Sequence, residues 1–518
     1  MTPSGAAETR ARAFEQLTDG IVDLLVIGGG IIGSRVAYEA ARAGLRVALV
    51  DAGDFGGATS AASSKLIHGG LRYLATGDLR LVRELQRERD VLSTRVAPQL
   101  VRPLPIVLLV EGARARRVSK LAAALSLYSA ISGFRRPRPR LIPPGRAAEL
   151  APIDPGSISA CGLIDEAVTH DARLALATAR AASRAGAIAL NHVRAVEIHQ
   201  ARGRFEVMLE DEPTQGLLTA RCRALVNAAG PWVDSVRRLA DPSARPLIRL
   251  SKGVHVVLPL AAGWHAGVAV FDESRSAVAI PWQGMLVIGA TDTAFEGNPA
   301  GAVPTPRDIE TVLGWFRGVL PSEQLRPDRL LSSFAGLRAL PPGRGETVRA
   351  SRRHRIIVGR DGMVSIAGGK LTNHRVIALD ALRRLPAELR PHRFTVTDDA
   401  LLGGHLPHVA AELERHVDRE TARHLLHLYG AEARLLLSYA DSSPRALDRI
   451  HPRGPDLWAQ AQFAVDGEWA MTVDDLASRR TTLAVRGLAT ERIRAELAAL
   501  LEDRLAAPES PVVSPSLR

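Results

Sequence analysis

Four glycines and one aspartate carry the first recognisable chemistry. Gly28, Gly29, Gly30 and Gly33 follow an apolar run at 24–27, and Asp51 closes a second apolar run at 47–50. An alanine-rich helical pattern lies between the two runs. Strand, glycine turn, helix, strand and acid, in that order, describe a dinucleotide-binding unit. Gly28 permits the tight turn, Gly30 lets the backbone approach a pyrophosphate, and Gly33 lets helix and strand pack closely. The helix N-terminus presents free N–H groups and the positive end of its dipole to the phosphates. Asp51 stands 21 positions after Gly30, at a strand tip where a carboxylate can accept from a ribose hydroxyl.

The elements around this unit set its scale. A chain of 518 residues predicts two or three domains. Hydrophobic content of 46% and charged content of 24% are those of a globular enzyme. No window reaches the ~18 uninterrupted apolar residues of a membrane span. The first 22 residues lack the apolar centre of a secretory signal. Cys161 and Cys222 form no CxxC pair, which argues against a disulfide framework or a cysteine-rich metal site and for a reducing, cytoplasmic setting; no metal is expected. The formal charge of +12 points to an anionic partner. With aromatics at 4% and no recognisable nucleic-acid module, nucleic acid is not that partner.

Along the chain, residues 1–20 read as a loose extension and 76–100 as an amphipathic helix ending near Pro98. Residues 137–156 are proline-rich and read as a connecting loop. A helix is predicted over 171–186 with Asp171 as its N-cap. Alternating patterns at 193–199 and 204–210 and apolar runs at 224–232, 254–259, 267–271, 277–281 and 285–290 predict strands of a mixed or antiparallel sheet. A strand pair follows 355, then a helix over 371–384, and from about 408 the pattern is helical.

Residues 58–74, ATSAASSKLIHGGLRYL, resemble the signature of FAD-dependent glycerol-3-phosphate dehydrogenases, within the D-amino-acid-oxidase-like flavoproteins. Matching segments follow in order: DEAVTHDARL at 165–174, LVNAAGPWVD at 225–234, SKGVHVVLP at 251–259, PWQGMLVIGATDT at 281–293, SFAGLRAL at 333–340 and SIAGGKLTNHR at 365–375. The resemblance implies an α/β protein with a Rossmann-like FAD-binding domain in discontinuous segments (21–75, 155–240 and 345–385). A substrate domain of α+β type is interleaved with it (76–154 and 241–344), and a helical domain follows at 395–518. It implies FAD as cofactor. A flavin is longer than one glycine loop can hold, and the second glycine turn, Gly368–Gly369, suits its ring end. Thr59, Ser60, Ser63 and Ser64 supply hydroxyls near pyrophosphate and ring, and Val193 stands where the superfamily meets adenine through its backbone.

The implied reaction is oxidation of sn-glycerol 3-phosphate to dihydroxyacetone phosphate, with hydride passing to flavin N5 and electrons to a membrane quinone. A phosphate end requires clustered cations, preferably with fork geometry. The resemblance offers Arg72, Arg338, Arg352 and Lys370, with Thr372 adding a hydroxyl; next to Arg352, Arg353 and Arg355 are alternatives. His68 and His255 are the two candidates for the base, and Arg338 is placed with them at the reacting centre. A related flavin oxidoreductase or oxidase acting on a hydroxy acid or amino acid is the alternative. Asn373 and His374 depart from the family's Thr-Tyr after GGKLT.

Residues 113–140 place Arg114, Arg116, Arg117 and Lys120 before an apolar stretch at 121–134, and Arg135, Arg136, Arg138 and Arg140 after it. Too short to span, such a segment suits the anionic face of a membrane. A buried helix with basic ends is the competing reading. A quinone acceptor would place the enzyme peripherally on the inner face of the cell membrane. A homodimer is compatible with the resemblance.

Overall fold

The structure is a computed structural model and describes residues 6–111, 115–134, 138–271, 276–343, 353–390, 397–403 and 407–506. The glycine-rich unit lies at the centre of an eight-stranded sheet. Strand Ile21–Ile27 pairs in parallel with Val47–Val50 on one side and Gly216–Asn227 on the other. Ile188–Leu190 extends the first side, Val364–Ala367 and Arg355–Val358 the second. Parallel strands covered on both faces read as unbroken apolar runs, and all four residues of Val47–Val50 are buried. On one face, helices Ile31–Arg42, Asp171–Arg184 and His374–Leu382 pack through Val36, Ala40, Leu176, Ala179, Ile377 and Ala381. The alanines let the helices come close together.

The opposite face is covered in part by helix Ala6–Thr18, where the sequence suggested a loose extension. Leu17 is fully buried there, and Arg10 pairs with Asp211 and donates to the Asn191 carbonyl at 2.9 Å. The amphipathic stretch of 76–100 condenses into helix Leu79–Val91 and a wider turn at Leu92–Val96. The proline-rich connection carries strand Arg140–Ile142 and helix Pro144–Ala148.

Among the described residues the second sheet has ten strands. Arg249–Pro259 lies antiparallel to Ser332–Leu340 and to Met285–Gly289, and Val101–Glu111 runs the length of Ile158–Thr169. Ile158–Thr169, at the start of the segment 155–240 expected in the cofactor domain, therefore pairs into this second sheet. The reason is pairing: eleven positions of Val101–Glu111 find partners on that strand. Leu66–Ile67, in the segment 21–75 assigned to the cofactor domain, joins the edge of the same sheet.

Helix Ala115–Ile131 occupies the basic and apolar segment. Leu125, Tyr128 and Ser129 face inward and are buried, whereas Leu127 is 43% and Phe134 54% exposed. Only part of the apolar stretch thus belongs to the core. Among the described residues, no helix is long and apolar enough to cross a membrane.

The C-terminal helices, Pro407–Leu413, Arg419–Tyr429, Trp458–Gly467 and Glu491–Ala506, dock on the first domain through buried charge. Glu468 accepts from Arg173 Nη1 and Nη2 at 2.6 and 2.9 Å and from Arg180 Nη1 at 3.1 Å. Removing one partner of a buried pair leaves an uncompensated charge and costs about 3–5 kcal/mol. Glu468→Ala is expected to lower stability by about that amount, measured as the denaturant midpoint of the purified protein; an unaltered midpoint would show that the docking does not depend on this carboxylate.

Candidate active site

Between the two sheets lies a cleft of ≈ 3940 Å³, several times the ~300–1,000 Å³ of a small-ligand pocket. The glycine turn forms one part of its wall. Gly28 has φ +107°, and a Cβ there would lie 2.6 Å from the Ala228 carbonyl oxygen. A Cβ on Gly33 would overlap the Gly28 carbonyl, so helix and turn are in the contact that only glycine allows. Gly30 ends the turn in extended conformation without a side-chain cap. The Ile31 N–H donates to Ser60 Oγ at 3.0 Å.

Asp51 lines the cleft and accepts from Gly29 N–H at 2.6 Å and Gly53 N–H at 2.8 Å. Burial raises its pKa, and these two N–H groups oppose the rise. Val193 donates its N–H to the Asp51 carbonyl at 2.8 Å. Val193 is not itself in the wall; its neighbours Arg194 and Ala195 are. The second turn, Gly368–Gly369, also lines the cleft, with φ of +74° and +102°.

The serine-rich segment threads between the sheets, and its hydroxyls brace it. Thr59 Oγ1 donates to the Leu337 carbonyl at 2.7 Å, Ser63 Oγ to Asp171 Oδ2 at 2.7 Å, and Ser64 Oγ lies 2.8 Å from His255 Nε2. Asp171 is the first residue of its helix rather than the cap; His170 Nδ1 caps, accepting from Arg173 N–H at 3.4 Å. This frees Asp171 to grip Ser63 and Lys65. Lys65, which the sequence reading passed over, is buried in the wall, 2.7 Å from Asp171 Oδ1 and against the rings of Phe334 and Trp282. Its place inside the quoted ATSAASSKLIHGG segment was the available signal.

Both candidate bases line the cleft. His68 follows strand Leu66–Ile67, and its N–H donates to Thr372 Oγ1 at 3.2 Å. Burial, reinforced by Lys370 and Arg72, pushes its pKa down to about 3. His255 stacks on Phe334 at 4.9 Å and lies over Gly289, where any Cβ would overlap the ring. Burial with Arg338 and Lys65 holds its pKa well below the usual histidine value. Both imidazoles are therefore neutral and able to accept a proton, each under the field of neighbouring cations.

The cations come from separate elements. Arg338 faces Ser251 across the strand pair, lies over Gly253 and donates to the Thr291 carbonyl at 3.0 Å, with Asp292 4.0 Å away. Arg72 donates to Ser276 Oγ at 3.0 Å. Tyr73, also missed from sequence, lies between Arg72 and Lys370, whose charges stand 5.6 and 4.7 Å from its ring centre. Arg352 lies outside the described residues. The neighbouring Arg353 is in the wall and donates to Asp78 Oδ2 at 2.6 Å. Asn373 and His374 turn away from the cleft. Asn373 Nδ2 donates to Glu84 at 2.7 Å, and His374 Nδ1 lies 2.7 Å from the Leu371 carbonyl. Their departure from the family pattern alters helix packing, not the cleft wall.

Residues 23–375 match the family described as FAD dependent oxidoreductase, and 395–510 match the C-terminal domain of alpha-glycerophosphate oxidase. A glycerol-3-phosphate dehydrogenase of Mycobacterium leprae is 34% identical over 95% of this chain and 87% of its own length. That of Synechocystis is 31% identical, over 92% and 91%. The chain belongs to the glycerol-3-phosphate dehydrogenase family of FAD-dependent oxidoreductases. The structure of the Bacillus halodurans glycerol-3-phosphate dehydrogenase complexed with FAD superposes with a TM-score of 0.75 at 27% identity, covering 98% of this chain and 99% of that one. The two glycine turns, both in the wall of one large cleft, fit the family's cofactor.

Among the imidazoles pushed down by burial, His68, His374 and His427 lie at about 3 and His170 and His255 well below 6.5. In the unfolded chain each takes up a proton as pH falls through about 6.5, and in the folded chain it does not, so folding loses free energy below that pH. His192, raised by its bond to Asp475 against the effect of burial, works in the opposite direction. The denaturant midpoint is expected to fall between roughly pH 7.5 and pH 5.5, and His374→Gln should reduce the slope; a flat profile would contradict the neutral burial of these rings.

Proposed function

We propose that the protein oxidises sn-glycerol 3-phosphate to dihydroxyacetone phosphate and passes the electrons to a membrane quinone. The observation that carries this reading is the pairing of each neutral imidazole in one cleft with cations from other elements: His68 with Arg72 and Lys370, His255 with Arg338 and Lys65. A hydroxy acid or amino acid needs a smaller, carboxylate-sized clamp. Bound FAD supplies the two-electron acceptor at N5 of its ring.

The rest belongs to this chain. Arg338, Lys370 and Arg72 hold the phosphate, so the adjacent secondary alcohol is fixed with its C–H toward the ring site. The alcohol proton passes to His255 or His68. An empty cleft disfavours the imidazolium through burial and neighbouring cations. A phosphate dianion cancels that repulsion, so the substrate's own charge raises the affinity of the base for the proton. Thr372 Oγ1, bonded to His68 N–H, holds the turn that presents His68. Arg117 and Lys120 in the wall, with exposed Leu127 and Phe134, suit a headgroup surface beside the entrance, where a quinone would arrive.

Anaerobic addition of glycerol 3-phosphate should bleach the flavin absorbance, whereas glycerol, 2-hydroxy acids and D-amino acids should not; bleaching by the latter alone would favour the oxidoreductase alternative. Charge-assisted bonds contribute about 1.5–3 kcal/mol, so Arg338→Ala should raise KM at least about tenfold while bound flavin stays constant. Flavin loss in proportion would remove Arg338 from the phosphate site. Rapid oxidation of the reduced enzyme by oxygen, without preference for quinone, would replace the acceptor. In vesicle sedimentation, Leu127→Ser with Phe134→Ser should weaken binding to anionic liposomes; undiminished binding would refute this docking face.

A further inference from the structure

The C-terminal helical domain reaches the cleft. Thr472, Asp474, Ser478 and Arg479 line its wall together with Asp51, Gly53 and His192. The same stretch grips the loop that follows Asp51. Arg480, fully buried, donates from Nη1 and Nη2 to the carboxylate of Asp54 at 2.5 and 2.8 Å, and Arg479 Nε adds a third bond to it. Asn191 Nδ2 donates to Asp54 Oδ1 at 3.1 Å. Trp469 sets its ring edge-on to Phe55 at 5.1 Å.

From this loop the contacts continue to the cofactor turn. Phe55 lies against Gly29, where any Cβ would overlap its ring. Gly56 N–H donates to the Gly29 carbonyl at 3.0 Å, and Gly29 N–H to Asp51 at 2.6 Å. On the other side, His192 N–H donates to the Gly53 carbonyl at 2.8 Å, and its Nε2 lies 2.9 Å from Asp475. Trp469, Arg479 and Arg480 are therefore joined to Gly29 through one layer of packed residues. A loop of this kind, held by four hydrogen bonds to one buried carboxylate, three of them from arginines, cannot shift without breaking charge-assisted bonds in a dry environment.

We propose that the C-terminal domain is part of the cofactor site: it closes the adenosine end of bound FAD and sets how long the cofactor stays. The proposal rests on the assignment of the Asp51 end of the cleft to adenosine ribose. It gives the domain a role separate from substrate oxidation, and it predicts selectivity. FMN has no adenosine and gains nothing from this wall. FAD gains both the wall and the loop it fixes.

The test uses the full-length holoenzyme and follows released flavin by its fluorescence after dilution, in Arg479→Gln, Arg480→Met and Asp51→Asn. Arg479→Gln, at a partly exposed site, serves as the milder variant should Arg480→Met fail to fold. FAD release is expected to be at least tenfold faster in all three. The apoprotein's preference for FAD over FMN should narrow by a similar factor in Arg479→Gln. If Asp51→Asn accelerates release and folded Arg479→Gln does not, adenosine lies at Asp51 but the domain does not retain it, and the proposal fails. If neither variant changes release, adenosine lies elsewhere and the proposal falls with its premise. Equal weakening of FAD and FMN would also overturn it, because a wall specific to adenosine cannot act on a ligand lacking it.

Discussion

One buried carboxylate ties the two halves of the molecule together. Asp171 stands at the start of a helix that packs under the cofactor sheet. Its oxygens accept from Ser63 N–H and Oγ on one side and from Lys65 Nζ on the other. Ser63 and Lys65 belong to the segment that continues into Leu66–Ile67, an edge strand of the second sheet. The ammonium of Lys65 is sandwiched by Phe334 and Trp282, both on strands of that sheet. A carboxylate taken from water needs such partners, since an unpaired buried charge costs several kcal/mol. The position of His68 and Arg72, a few residues on, follows from this attachment. So does the closeness of Ser64 to His255.

Much of this was legible because the residues carrying it are short-range. The glycine turn, its helix and Asp51 occupy one contiguous stretch, and the steric demands on Gly28 and Gly33 are those their spacing implies. The strands over 267–271 and 285–290 were marked by apolar runs between Gly, Pro and Asp. The placement of Ile158–Thr169 was not legible, because its partner Val101–Glu111 lies about fifty positions earlier and no local pattern reveals a sheet assignment. The helix before residue 20 has little signal in the sequence because its burial depends on one face, Leu17 with Arg10, in an otherwise polar segment. Lys65 and Tyr73 were hidden by a different cause. Each performs its role through a ring or a buried partner that only the folded chain supplies.

The net charge was informative in sign and misleading in detail. An excess of arginine suggested attraction to anions, and cations do line the cleft. Yet Arg35, Arg173, Arg375 and Arg480 are among the largest fully buried side chains. Arg173, Arg375 and Arg480 hold separate elements together by pairing with Glu468, Asp398 and Asp54, and Arg35 pairs with Glu39 within its own helix. In a chain this rich in arginine, the guanidinium fork serves as an internal fastener because it can satisfy both oxygens of a carboxylate at once. Composition counts such residues with those free to meet a ligand, and only the partner acid separates the two groups.

The same distinction explains why two histidines share the cleft without a choice between them being visible in their surroundings. Each is buried, each is neutral, and each is depressed by burial and by neighbouring cations, His68 by Lys370, Arg72 and Arg89 and His255 by Arg338 and Lys65. What differs is the mounting. His255 sits mid-strand, stacked on Phe334 and fixed at Nε2 by Ser64, so its ring has one orientation. His68 sits in a glycine-bounded turn held through backbone bonds by Thr372 and by the buried carboxylate of Glu166, which accepts from Gly69 N–H at 2.7 Å and from Tyr128 OH at 2.8 Å. Tyr128 belongs to the helix whose outer face carries Leu127. The turn with His68 and Arg72 is thus mechanically joined to the surface proposed to meet the membrane, and His255 is joined to the rigid sheet. A base that must keep one geometry is better served by the strand, and a cation that must admit and release substrate is better served by the turn.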